Sequence, residues 1–151
     1  MENSIGFVLY PEQSAFIWKA SWASLYALKT GHYDLAIIPG GVFVTSLNYW
    51  RNPDFLSWRR HVDVSYVQLA LVYQMVRAYN AEYAKLYYLT MVLGMSCYPI
   101  SYHYYYKKQY WRSTYMHSCV HVISNIANVI LYSGYVLPIA ASPFFYFFKF
   151  R

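Results

Sequence analysis

Apolar residues run through this chain in long blocks separated by short polar clusters, with no strict alternation of the strand kind. No unbroken run reaches the ~20 apolar residues of a simple membrane helix. A helical bundle can hide isolated polar residues in its interior, and with that allowance the pattern predicts five helical segments, at about 14–27, 34–50, 59–79, 82–103 and 112–133. The first ends at Thr30-Gly31-His32, where glycine can supply a left-handed cap. The second opens on Asp34, an acid suited to a helix N-terminus, and contains Pro39-Gly40-Gly41, which predicts a kink, a split or a re-entrant turn. Only Asn80-Ala81 separates the third and fourth segments, so a tight antiparallel hairpin is expected there. Pro99 should bend the last turn of the fourth, and Gly134 followed by Pro138 should stop the fifth. The tail PFFYFFKFR is too short to cross a bilayer and is expected to lie in its interface. There is no internal repeat or low-complexity linker, so residues 1–151 read as one integral membrane domain.

Composition sharpens this pattern. With 58% hydrophobic and 12% charged residues, the chain has few charges with which to solvate a globular surface. Mean hydropathy is only +0.18, because 20 tyrosines score as polar although each carries a large apolar ring. The expected fold class is therefore all-α: a polytopic transmembrane bundle of four or five crossings with a kinked second helix. Trp50, Trp58, Arg59, Arg60, Trp111 and Arg112 read as interfacial anchors. The net charge of +6 falls in short groups between apolar segments, as expected for contacts with lipid headgroups, and shows no nucleic-acid stripe. Basic residues are more numerous in the loops on the N-terminal side, which places the N-terminus in the cytoplasm under the positive-inside rule. Cys97 and Cys119 sit in apolar stretches and suggest no disulfide framework, and the acidic start MENSIGFVLYPEQ is no secretory signal.

Polar residues inside apolar helices are the candidate chemistry. In the fifth segment His117, His121, Asn125, Asn128 and Tyr132 share one helical face. In the third, Asp63, Ala70, Gln74 and Arg77 form a matching polar or small stripe. Counting turns from the helix ends puts Ser46, Asp63, His117 and His121 at one depth, with His103 on the same side. Two histidines at i and i+4 can hold one metal ion, and a nearby carboxylate can orient a ligand or activate a bound water. The same pair can equally serve interhelical hydrogen bonds.

The order Ser46, Asp63 and His117-Ser-Cys-Val-His121 resembles the CREST membrane hydrolases, a superfamily that includes alkaline ceramidases, the adiponectin-receptor group and hemolysin-III-like proteins. The resemblance runs loosely over about 38–131. It implies zinc-dependent hydrolysis of lipid amides or esters, with His117 and His121 as ligands, Asp63 near a metal-bound water and Ser46 as a supporting donor. Two departures stand beside it: Trp50 occupies the place of the family's first histidine, four after Ser46, and five segments replace the family's seven. His103 or His61 would have to substitute as the third ligand.

No phosphate-binding glycine loop, CxxC or GxSxG motif is present. The incomplete ligand set points away from an enzyme. The leading expectation is a structural or scaffolding subunit of a larger membrane-associated assembly, organellar or viral, whose partners are membrane lipids and other protein subunits. It would need no cofactor. The alternative is the hydrolase, with zinc.

Overall fold

A computed structural model describes residues 22–50, 54 and 56–138. These residues form five helices: α1 (Trp22–Lys29), α2 (Tyr33–Trp50), α3 (Trp58–Ala78), α4 (Ala84–Tyr106) and α5 (Tyr110–Ser133). The fold is all-helical, as the apolar blocks predict. The early part of the first expected segment and the aromatic tail lie outside the described residues.

None of these helices is long and apolar enough to cross a membrane. This overturns the transmembrane, multi-pass reading, and the cytoplasmic N-terminus falls with it because none of the described helices is a span to orient. The physical reason lies in the polar positions that the sequence pattern was allowed to tolerate. α1 has eight described residues. α3 carries Arg59, Arg60, His61, Asp63, Gln68, Gln74 and Arg77, so charged and amide side chains offset its valines and leucines. α5 is the longest, but two histidines, two asparagines and several hydroxyls interrupt it. The residues read as interfacial anchors lie at helix ends: Trp50 closes α2, Trp58, Arg59 and Arg60 open α3, and Trp111 and Arg112 stand in the first turn of α5. Trp50 packs on Tyr49, Trp111 packs on Tyr115, and Arg112 bonds Gln109 and lies over the Tyr104 ring.

The helices pair as α2 with α3 and as α4 with α5, and α1 lies against both α2 and α5. The expected tight hairpin of α3 with α4 is absent: the two touch only slightly although a short turn joins them. Side-chain size decides the outcome. The buried face of α4 is Tyr87, Met91, Gly94, Cys97 and Ser101, and its small residues let α5 come close. A Cβ on Gly94 would lie 3.2 Å from the Ile123 side chain, and Ser101 Oγ donates to the Ser113 carbonyl at 2.9 Å. Close approach of two helices is therefore written into α4 on its α5 side.

The hydrophobic centre is built from alanines around a few large side chains: Ala23, Ala27, Ala36, Ala78 and Ala127 pack with Leu35, Leu131, Tyr87 and Tyr132. Small residues on α1 allow it to wedge between α2 and α5. Asn125 Oδ1 accepts from the Ala23 backbone N–H at 3.2 Å, which ties α5 to α1. Gly31 takes φ +80° in the α1–α2 turn, the left-handed conformation that its position predicts. At the start of α3, Ser57 is an N-cap whose Oγ accepts from the Arg60 N–H.

Pro39 neither splits α2 nor makes a re-entrant turn, since the helix runs unbroken from Tyr33 to Trp50. A proline inside a helix removes the hydrogen bond to the carbonyl four residues earlier, here that of Leu35. The Tyr132 hydroxyl comes across from α5 and donates to that carbonyl at 3.4 Å. The next two carbonyls also gain outside donors. Ser24 Oγ reaches Ala36 O at 2.6 Å and the Tyr66 hydroxyl reaches Ile37 O at 3.1 Å. Gly41 leaves the room Tyr66 needs, because a Cβ there would collide with its hydroxyl.

Candidate functional site

The residues singled out by sequence fall into two contacting pairs. Ser46 on α2 and Asp63 on α3 are both buried, and Ser46 Oγ donates to Asp63 Oδ1 at 2.8 Å. Thr45 donates to the same oxygen at 2.9 Å. The α2–α3 pairing creates this contact by setting the end of one helix beside the start of the other. Burial pushes the Asp63 carboxyl above its ordinary range, although both hydroxyls favour the carboxylate. Loss of hydration therefore outweighs two hydrogen bonds.

The second pair is His117 with His121 on α5, one helical turn apart, whose Nε2 atoms are 3.2 Å from each other. Both rings are held neutral. Burial lowers His117 to about 3, with His121 adding to the effect, and burial lowers His121 to about 4. A neutral imidazole can donate from one nitrogen and accept at the other, so one Nε2–H of the pair points at the other ring's lone pair. The Trp50 ring meets His117 edge-on with centroids 5.9 Å apart, and Tyr98 closes on it at 6.1 Å. Thus Trp50, which takes the place of the CREST histidine in sequence, packs its indole against one histidine of the pair.

A catalytic zinc site uses three protein ligands and an open position. Among the described residues, no three His, Cys, Asp or Glu side chains form a group that could hold a metal ion. His103 is exposed and packs on Tyr104, and His61 is exposed on α3, so neither completes the His117–His121 pair. Among the described residues, the donor set does not fit catalytic zinc.

Ser46 and His121 do share a cavity. It lies between α2, α3, α4 and α5, has a volume of about 130 Å³, and is walled largely by apolar side chains such as Ile38, Val42, Leu71 and Met91. Gln74, Asn125 and Asn128 contribute polar atoms to its lining. Gln74 Nε2 donates to the Tyr132 hydroxyl at 2.8 Å, and Asn125 Nδ2 donates to the His121 carbonyl at 2.8 Å. Asn128 is 6% exposed, and its Oδ1 has no hydrogen-bond partner.

Sequence reasoning missed Thr45 and the contact of Trp50 with His117. No local signal marks either, since both arise from the angle at which α2 crosses its neighbours. Asn128 is visible as a member of the α5 polar face, but periodicity alone assigns it to interhelical packing. Comparisons with known proteins add no identity, since no protein-family model, curated protein or solved structure matches this chain.

Proposed function

We propose that this chain is a non-catalytic structural subunit, which docks into a larger assembly by pairing the outward face of α4 with a helix of a partner protein. The observation that carries this reading is a stripe on α4. Leu86, Leu89, Leu93 and Ile100 are 49%, 69%, 59% and 42% exposed, and with Ser96 and His103 they repeat at alternating spacings of three and four. Such a 3.5-residue repeat is the seam of a coiled coil, and here it faces away from the α5 contact. An exposed seam of three leucines and an isoleucine is costly to leave in water, at roughly 25 cal/mol per Å² of apolar surface. The periodicity selects a helix as the covering element, because only a second helix presents holes at the same repeat.

The test places a photo-crosslinking residue at Leu89 or Leu93, and at Gln68 on α3 as a control, in the full chain expressed in its own cells. A discrete protein adduct from the α4 positions, lost in a Leu89→Glu, Leu93→Glu variant that keeps its helical content, is the expected result. A lone monomer in native gels, with no adduct from either α4 position, would sink the reading.

Metal-dependent hydrolysis of lipid amides or esters is the second reading. It is supported by the placement of Ser46 and His121 on one cavity, and among the described residues it lacks a third zinc ligand.

A further inference from the structure

The cavity between α2 and α5 has the size and chemistry of a small-ligand site. Its 130 Å³ is close to the ~150 Å³ of an engineered apolar cavity that stays dry and takes up benzene. One aromatic ring is therefore the scale of guest it can hold. Most of its polar lining is already committed within the protein: Ser46 to Asp63, Gln74 to Tyr132, Asn125 to the His121 carbonyl, and His121 to His117. Ser124 and Asn128 are the exceptions, and of the lining residues only Asn128 has a buried oxygen without a partner. Its carbonyl oxygen is buried and has no donor, which costs about 1–3 kcal/mol in an apolar setting.

A water bonded to that oxygen would leave the aliphatic and methionine walls of the cavity unfilled. A guest that presents one hydrogen-bond donor and an apolar ring satisfies both the oxygen and the walls. We infer that this cavity binds one small neutral aromatic alcohol of the phenol class, with its ring between Val42, Leu71 and Met91 and its hydroxyl donating to Asn128 Oδ1. The inference is independent of the docking seam, since the cavity opens among α2, α3, α4 and α5 and the seam lies on the outer face of α4.

The experiment titrates the full chain, carrying ¹³C-methyl methionine, with phenol and separately with toluene, and follows the methyl resonances of Met91 and Met95, both of which line the cavity. Saturable shifts of these two methyls with one phenol per chain, and toluene binding about tenfold more weakly, are expected from one hydrogen bond to a buried acceptor. Asn128→Leu should bring the two affinities together. Absence of a saturable shift with phenol overturns the inference. Equal affinity for phenol and toluene in the unaltered protein overturns the role of Asn128, and with it the assignment. If Asn128→Leu does not fold, the phenol-to-toluene ratio of the unaltered chain still decides.

Discussion

The guanidinium of Arg77 on α3 reaches across to Asp34 at the start of α2, with Nε 2.9 Å from Asp34 Oδ2. Tyr73, one turn earlier on α3, donates its hydroxyl to the same oxygen at 2.9 Å, and Arg77 also donates to the Leu137 carbonyl beyond α5. One side chain thereby ties together α2, α3 and the segment after α5. Burial by itself would raise the Asp34 carboxyl. The hydrogen bonds from Arg77 and Tyr73, with the charge of Arg77, outweigh that effect and hold it below its ordinary value, while Tyr73 is pushed up to about 12 by burial and by Asp34.

Removing one member of a buried ion pair leaves an uncompensated charge and costs about 3–5 kcal/mol. Arg77 has 4% of its side chain exposed and Asp34 has 28%, so the arginine sits on the more buried side. Arg77→Ala should therefore destabilise the fold by about 3 kcal/mol in chemical denaturation, because Asp34 and the Leu137 carbonyl lose a donor together. Asp34→Asn should cost at least as much, since it leaves the more deeply buried guanidinium without its counter-charge. Equal, near-zero effects would mean that the pair does not hold the helices.

Helix existence is legible in the sequence because the apolar blocks of α2 to α5 are long and bounded by turn residues such as Gly31, Asn80 and Gly134. Helix partnership is not. The short α3–α4 connection suggests a hairpin, whereas the small face of Gly94, Cys97 and Ser101 draws α4 to α5. Depth along antiparallel helices sets Ser46 level with Asp63, and the structure brings those side chains into contact. Trp50 already leaves the zinc ligand set short in the sequence, and the contact of its ring with His117 puts an indole beside the pair. Membrane crossing is misjudged for a simpler reason. Each polar residue excused as a guest of the bundle also subtracts from the apolar length of its own helix.

The neutral His117–His121 pair predicts acid sensitivity. Folding lowers both pKa values, to about 3 and about 4, from 6.5. The unfolded chain consequently binds more protons than the folded one between those limits, so stability rises with pH there. The contribution is complete above about pH 6.5 and is lost as pH falls toward 3. Part of each side chain still meets solvent, so the loss is smaller than for two fully enclosed imidazoles. Asp63 acts in the opposite sense: its raised pKa favours the folded state at low pH, and that contribution fades as pH rises through its folded value. The two effects separate by mutation. His117→Phe, His121→Phe should flatten the fall in Tm between pH 6.5 and 4, measured by circular dichroism, and an unchanged slope would refute the assignment.

Zinc content tests the hydrolase reading directly. With two histidines whose Nε2 atoms bond each other and no third ligand beside them among the described residues, the purified chain should carry well under one zinc. His117→Ala, His121→Ala should not change that content in elemental analysis. Stoichiometric zinc that disappears in the double variant would reverse the order of the two functional readings.

Tyr132 replaces a hydrogen bond that Pro39 removes, and this pairing makes a prediction about coupling. Tyr132→Phe should destabilise by about 1–3 kcal/mol, since the Leu35 carbonyl loses its donor and Gln74 Nε2 loses its acceptor. Pro39→Ala gives α2 back an N–H at the position that bonds Leu35 within the helix, where an interior proline costs about 3 kcal/mol. If the hydroxyl compensates for the proline, the two substitutions are not additive: Tyr132→Phe should cost measurably less in the Pro39→Ala background, with an interaction energy of about 0.5–1 kcal/mol, the lower part of the range for contacting residues. The 3.4 Å length of the bond sets that modest size. Strict additivity in a double-mutant cycle would show that the Leu35 carbonyl draws nothing from Tyr132, leaving Gln74 as the reason that α5 buries a tyrosine hydroxyl at this point in the core.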